Sequence, residues 1–185
     1  MTYRQFAQRI RVPAGFILVP LLLWLSNASP RSLIAGSVVA VAGLAIRAWA
    51  SGCLRKNQEL ATGGPYAYTR NPLYLGTFLL GAGVAIASGS LLFFSVYLFL
   101  YALVYVPVIL AEAETMQSLF PESYPAYSRE VPLFFPRITP RYGSRTGSRF
   151  DLKLYVEHRE YRAALGLAAV LAVIAVKSLA LAAVS

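Results

Sequence analysis

One cysteine, one histidine and eight acidic residues are all that this 185-residue chain holds of three kinds of side-chain chemistry. The lone Cys53 excludes an intrachain disulfide and leaves the redox compartment open. Beside Arg55 and Lys56 it has the neighbours of a reactive thiol, and equally those of a packed spectator. The lone His158 sits in EHREY, a charged surface-helix pattern, and no metal site is expected around it. There is no internal repeat and no Gly-rich dinucleotide fingerprint; Gly81-Ala82-Gly83 falls within an apolar run and reads as a packing feature. Charge is scarce, at 14% of residues, and seventeen Lys and Arg give a net +9. In a soluble protein that excess would suggest nucleic acid. Here 57% of residues are apolar and the mean hydropathy is +0.57, a composition that belongs to a membrane protein. Basic loops retained beside anionic lipid account for the charge, and no nucleic-acid partner is expected.

The apolar runs predict an all-α integral membrane protein, one membrane domain over 1–185 with about five transmembrane helices. The spans fall near 12–26, 33–50, 72–87, 91–111 and 163–183. Ser26-Asn27-Ala28 could pass for a signal-peptidase site, but the first run is expected to be a retained, short span. Gly36, Ala40 and Gly43 give the second span the small-residue spacing that lets helices approach closely, and Arg47 at its end is expected to snorkel to the interface. Asp151 to Arg162 reads as one short interfacial helix before the last span, which only Lys177 interrupts. Lysine and arginine set the orientation. Arg4, Arg9, Arg11, Arg47, Arg55, Lys56, Arg70 and the basic residues from Arg129 to Arg162 share one side, against Arg31 alone on the other. The N-terminus and the polar segments 51–71 and 112–162 are therefore expected in the cytoplasm, at the inner membrane if the cell is bacterial.

The chain is organised around Gly63 to Gly76, GGPYAYTRNPLYLG, a basic, turn-rich loop that ends by starting a helix. Asn71 is a good N-cap type, and Pro72 at the first helical position loses only a donor that would be unpaired anyway. The positive end of that helix points back toward Arg70, Tyr66 and Tyr68, where an anionic group is favoured. On the fourth span Tyr97, Tyr101 and Tyr105 recur every four residues and Glu112 continues their face, whereas Glu114 points nearly opposite. Tyr97 and Tyr101 read as packing residues. Pro107 should bend the helix. Beyond it Phe120, Tyr124 and Tyr127 form one face of an amphipathic helix, and Val131-Pro132 and Phe135-Pro136 an extended tail. This segment is too apolar to lie free in water and is expected to roof a site floored by the Asn71 helix start.

GPYAYTRNPLYLG, the glutamate-bearing helix end and F-P-x-x-Y-x-x-Y-x-x-x-V-P, in that order over Leu54 to Pro136, together resemble the isoprenylcysteine carboxyl methyltransferase family. These are integral-membrane enzymes that use S-adenosyl-L-methionine. The resemblance implies that cofactor between the Arg70–Gly76 junction and the Glu112 helix end. Carried over by position, it nominates Tyr66, Arg70, Pro72, Tyr74, Gly76, Glu112, Tyr124 and Tyr127, with Asn71 at the junction itself. Glu112 and Arg70 are the expected catalytic pair, and Tyr105 and Arg129 the expected substrate contacts. The chain departs from the family pattern at Asn71, where the family has histidine, at Ala113, where it has a second glutamate, and at Pro121, where it has glycine.

The expected function is therefore methyl transfer to a lipophilic acceptor, such as a prenylated-cysteine carboxylate, entering from the bilayer. A carboxylate arrives ionised, a phospholipid amine would need Glu112 as proton acceptor, and a thiol would need its thiolate favoured by Arg70. Two other readings stay open. One is an NADPH-dependent, sterol-reductase-like enzyme. The other is a non-catalytic protein whose basic loop, 137–149, binds anionic headgroups through Arg141, Arg145 and Arg149. The oligomeric state is not legible.

Overall fold

The computed structural model describes residues 18–55, 59–141 and 150–184. Among them are seven α-helices and no strand: α1 (18–25), α2 (Pro30–Gly52), α3 (Pro72–Ala87), α4 (Leu91–Leu119), α5 (Tyr124–Glu130), α6 (Leu152–Glu157) and α7 (Tyr161–Val184). The leader, the start of the first expected span, Lys56, and Arg145 and Arg149 of the basic loop lie outside the described residues. Each of the five apolar runs carries a helix in its described part. Three stretches, Pro30–Gly52, Leu91–Leu119 and Tyr161–Leu181, are long and apolar enough to cross a membrane, and α3 is a shorter apolar helix of 16 residues. At 29 residues α4 is about 43 Å long. A bilayer core is about 30 Å thick, so the polar turns around Glu112 and Glu114 extend past its apolar part.

Helices α2 and α3 pack backbone to backbone. A Cβ on Gly36 would lie 2.3 Å from Gly83 O and one on Gly83 2.3 Å from Ala40 N. A Cβ on Gly43 would meet Gly76 O at 2.6 Å, so the small-residue seam expected from sequence runs the length of the pair. Ser29 starts α2 with a reciprocal cap, its Oγ accepting from Ser32 N while Ser32 Oγ accepts from Ser29 N. Gly89 turns α3 into α4 at φ 68, a left-handed conformation, tucked beneath Asn27 O. Tyr97 and Tyr101 are buried and fasten α4 to α3, donating to Phe78 O at 2.9 Å and Tyr74 O at 2.8 Å. Pro107 lies inside α4 without ending it.

Helix α7 closes the bundle. Ile174 is fully buried in a core shared with Leu22, Ala85 and Phe93. At one end Lys177 donates to Leu23 O and Ser26 O, carbonyls freed where α1 ends. At the other, Glu160 holds Arg47 of α2 in a two-point ion pair at 3.0 and 2.8 Å. Arg47 thus turns inward to a partner, where the sequence suggested snorkelling. The single interfacial helix expected over Asp151–Arg162 is broken: α6 has six residues, and Arg159 at φ 57 turns the chain into α7. The outward faces carry large apolar side chains, among them Ile34, Val38, Phe99, Val176 and Leu179, as lipid contact requires.

Candidate active site

The loop before α3 is fixed by the tail that follows α5. Arg70 N donates to Pro132 O at 2.9 Å, Arg137 N to Tyr68 O at 3.0 Å and Arg141 N to Ala67 O at 3.1 Å. Thr69, fully buried, donates its hydroxyl to Phe134 O at 2.8 Å. Asn71 precedes α3 as expected but makes no side-chain cap; its Nδ2 donates to Leu133 O at 2.9 Å and ties loop to tail. The first N–H groups of α3 are left without a side-chain cap. Tyr124 and Tyr127 are buried on α5, and the Tyr127 hydroxyl donates to Tyr66 O at 2.7 Å. The aromatic segment therefore does lie back on the bundle.

Between these parts is a cavity of about 630 Å³, within the range typical of small-molecule sites. The loop and α3 contribute Tyr66, Arg70, Asn71, Pro72 and Tyr74; α4 contributes Tyr105, Glu112 and Ala113; α5 contributes Tyr124 and Tyr127. Nine expected site residues thus share one wall-to-wall space. Two others do not. Gly76 is spent on packing, where a Cβ would lie 2.7 Å from Gly43 O, and Arg129 is exposed on α5 outside the cavity lining. Among the lining residues that went unnominated are Arg47, His158 and Glu160. A cation inside an apolar run needs a buried partner, and that was the available signal for Arg47.

The site's polarity is divided. Arg70 Nη1 donates to the Tyr124 hydroxyl at 2.9 Å, and its guanidinium carbon sits 5.7 Å from that ring's centroid. Tyr74 meets Tyr105 edge-on at 5.8 Å, and Tyr105 stacks on Tyr101 at 4.5 Å, giving one wall an aromatic lining. Glu112 stands exposed about two turns before the end of α4. Burial, then the neighbouring Tyr127 and Glu112, raises the Tyr66 hydroxyl well above its ordinary pKa, so it stays a neutral donor. Burial likewise raises Tyr127, against the lowering effect of Arg70. Tyr66 Oη, Arg70 Nε and His158 Nδ1 are buried without a hydrogen-bond partner, and all three belong to residues lining this cavity. Such orphaned groups concentrate where a ligand or water completes the site.

A helical bundle with membrane-length helices and a polar-to-aromatic cavity at one end has the architecture of a membrane protein with a cavity of small-molecule size. The chain matches the phospholipid methyltransferase family over residues 15–123 and belongs to it, a family of membrane methyltransferases of the isoprenylcysteine carboxyl methyltransferase-like kind. It is 36% identical over 145 residues to the cobalt-zinc-cadmium resistance protein CzcN of Cupriavidus metallidurans, covering 74% of this chain and 66% of that protein. It is 36% identical over 85 residues to the nickel-cobalt-cadmium resistance protein NccN of Alcaligenes xylosoxydans xylosoxydans, covering 46% of this chain and 39% of that one. The chain thus spans less than two thirds of the length of both relatives. No solved structure matches it.

Proposed function

We propose that this chain is an S-adenosylmethionine-dependent methyltransferase embedded in the membrane, acting on a lipophilic acceptor. The observation that carries the reading is the mixed lining of one cavity, to which the loop and the uncapped α3 N-terminus bring Arg70, α4 brings Glu112, and both with α5 bring tyrosines. The cofactor is a zwitterion with an added sulfonium cation and a flat base, and these residue types suit each part. Arg70 and the α3 N–H groups favour a carboxylate. Glu112 favours a cation, and the faces of Tyr74 and Tyr105 favour both a cation and a flat ring. When bound, the sulfonium supplies an electrophilic methyl group. The chain's own work is alignment and exclusion of water: Tyr124 orients Arg70, Tyr127 fixes the Tyr66 backbone, and the 131–141 tail covers the loop.

In this reading the bundle is a single five-span membrane domain with its N-terminus and cavity in the cytoplasm. The acceptor enters sideways from the bilayer, and basic residues of 137–149 rest against anionic headgroups. The names of the relatives place them in resistance to cobalt, zinc, cadmium and nickel. For this chain we carry over that setting as methylation of a membrane-soluble molecule. The test is calorimetric titration of the detergent-purified protein with S-adenosylmethionine and S-adenosylhomocysteine. Binding weakened by Glu112→Ala and by Tyr74→Ala is the expected result. NADPH binding in place of either ligand would move the reading to a reductase, and silence from all three would leave a lipid-binding protein.

A further inference from the structure

The family match ends at residue 123, yet the turn between α6 and α7 reaches the same cavity. That turn is firmly placed. At the start of α6, which leads into it, Asp151 N donates to Gly52 O at 2.9 Å, and the Phe150 ring lies where a Cβ on Gly52 would be. At the turn's far end Glu160 is clamped by Arg47. Between them Arg159 holds a left-handed φ of 57, a conformation that persists in a non-glycine residue only where its surroundings impose it. What these constraints deliver into the cavity wall is His158, the chain's single histidine, with Nδ1 buried and unpaired.

The cavity's carboxylates have other commitments. Glu160 is tied to Arg47 and Glu59 lies 3.8 Å from Arg55, while Glu112 stands exposed on α4 and serves the cofactor's cation in the reading above. Carboxylates in general titrate near pH 4 and imidazole near 6.5, so imidazole is the better proton acceptor near neutrality. We propose that His158 is a catalytic residue whose imidazole takes the proton from a protic acceptor, an amine or thiol borne by a lipophilic molecule. This inference rests on the methyltransferase reading above. The proton on the acceptor's nitrogen or sulfur passes to a ring nitrogen of His158, and the lone pair left behind forms the new bond to the methyl carbon. The methyl–sulfur bond breaks with its electrons staying on the donor's sulfur, and solvent later takes the proton from the ring. A carboxylate acceptor, ionised on arrival, would give this residue nothing to do.

One histidine in the chain makes the test clean. Protein without a histidine tag, labelled with ¹⁵N-histidine, gives the imidazole resonances of His158 alone, and S-adenosylhomocysteine should shift them. The acceptor probes are phosphatidylethanolamine, dodecanethiol and N-acetyl-S-farnesylcysteine, an amine, a thiol and a carboxylate. Methylation of the amine or the thiol is expected, with kcat lowered about 100-fold in His158→Gln while affinity for S-adenosylhomocysteine stays within about twofold. The inference is overturned by unmoved resonances on S-adenosylhomocysteine binding, by methylation of neither the amine nor the thiol, or by a kcat within about threefold of wild type in His158→Gln. In all of these S-adenosylhomocysteine still binds and the methyltransferase reading survives. Failure of the wild type to bind it removes both.

Discussion

The ion pair between Arg47 and Glu160 ties the start of α7 to α2, and its loss has a calculable cost. Glu160→Ala removes two charge-assisted hydrogen bonds, of 3.0 and 2.8 Å, and leaves the guanidinium with Thr77 as its remaining recorded partner. Breaking a fully buried pair costs about 3–5 kcal/mol, because the surviving charge stays desolvated. Here the two side chains keep 22% and 12% exposure, which lets water screen part of the loss. Roughly 2–3 kcal/mol is then expected. For a chain of this size that corresponds to a fall in Tm of about 5–10 °C. Cys53 supplies the assay: it is the only cysteine and 5% exposed, so a fluorogenic maleimide reports its release on heating in detergent. The pair also predicts a rescue. Measured against the single variants Arg47→Met and Glu160→Leu, the double variant leaves no orphaned charge and should recover most of the loss, a coupling of about 1.5 kcal/mol or more. A Glu160→Ala protein melting within about 1 °C of wild type would refute this reasoning, as would a double variant whose loss is the sum of the two single losses.

Two further outcomes test other parts of the structure. Gly83→Val places a side chain 2.3 Å from Ala40 N and 2.5 Å from Gly36 O, rigid backbone on both sides, so α2 and α3 must separate. It should cost at least about 1–3 kcal/mol and lower the yield of monodisperse protein in gel filtration, whereas unchanged elution and Tm would contradict the close seam. Burial raises the folded Cys53 thiol above its ordinary 9.0, so its contribution to stability is whole below that pH and is lost as pH rises through the folded value. Melting followed by circular dichroism from pH 7 to 11 should therefore decline less steeply in Cys53→Ala above pH 9, and parallel curves would rule this out.

Much of the bundle was legible because its determinants are local. Apolar runs bounded by Ser, Asn, Gly and Pro mark helices wherever they occur, and small residues at Gly36, Ala40 and Gly43 announce a close seam whatever lies opposite. The loop at Gly63–Gly76 was legible for the same reason, since Pro72 after Asn71 fixes a helix start within a few residues. What stayed hidden depends on partners far along the chain. Nothing near Arg47 tells of Glu160, 113 residues away, and nothing near Asn71 says that its amide will serve Leu133 rather than α3. Gly76 shows the converse error. Its position in the motif pointed to the cofactor, but on the helix it falls on the face toward α2, where the seam takes it.

The same distinction bears on what the site is for. Residues within the family match, Tyr66 to Tyr74 and Glu112, line the part of the cavity that the proposed reading gives to a zwitterionic donor. The remaining wall comes from outside the match, from Tyr124 and Tyr127 on α5 and from His158 and Glu160 at the head of α7. Helix α7 is fastened at both ends, by Lys177 to the α1 terminus and by Glu160 to Arg47, so its head is a fixed wall rather than a passing contact. Two stretches far apart in the chain, the loop at Gly63–Gly76 and the turn that carries His158, thus meet in one cavity. In the reading proposed above, the first would hold the methyl donor, and the second, through the histidine it presents, would select acceptors that can give up a proton.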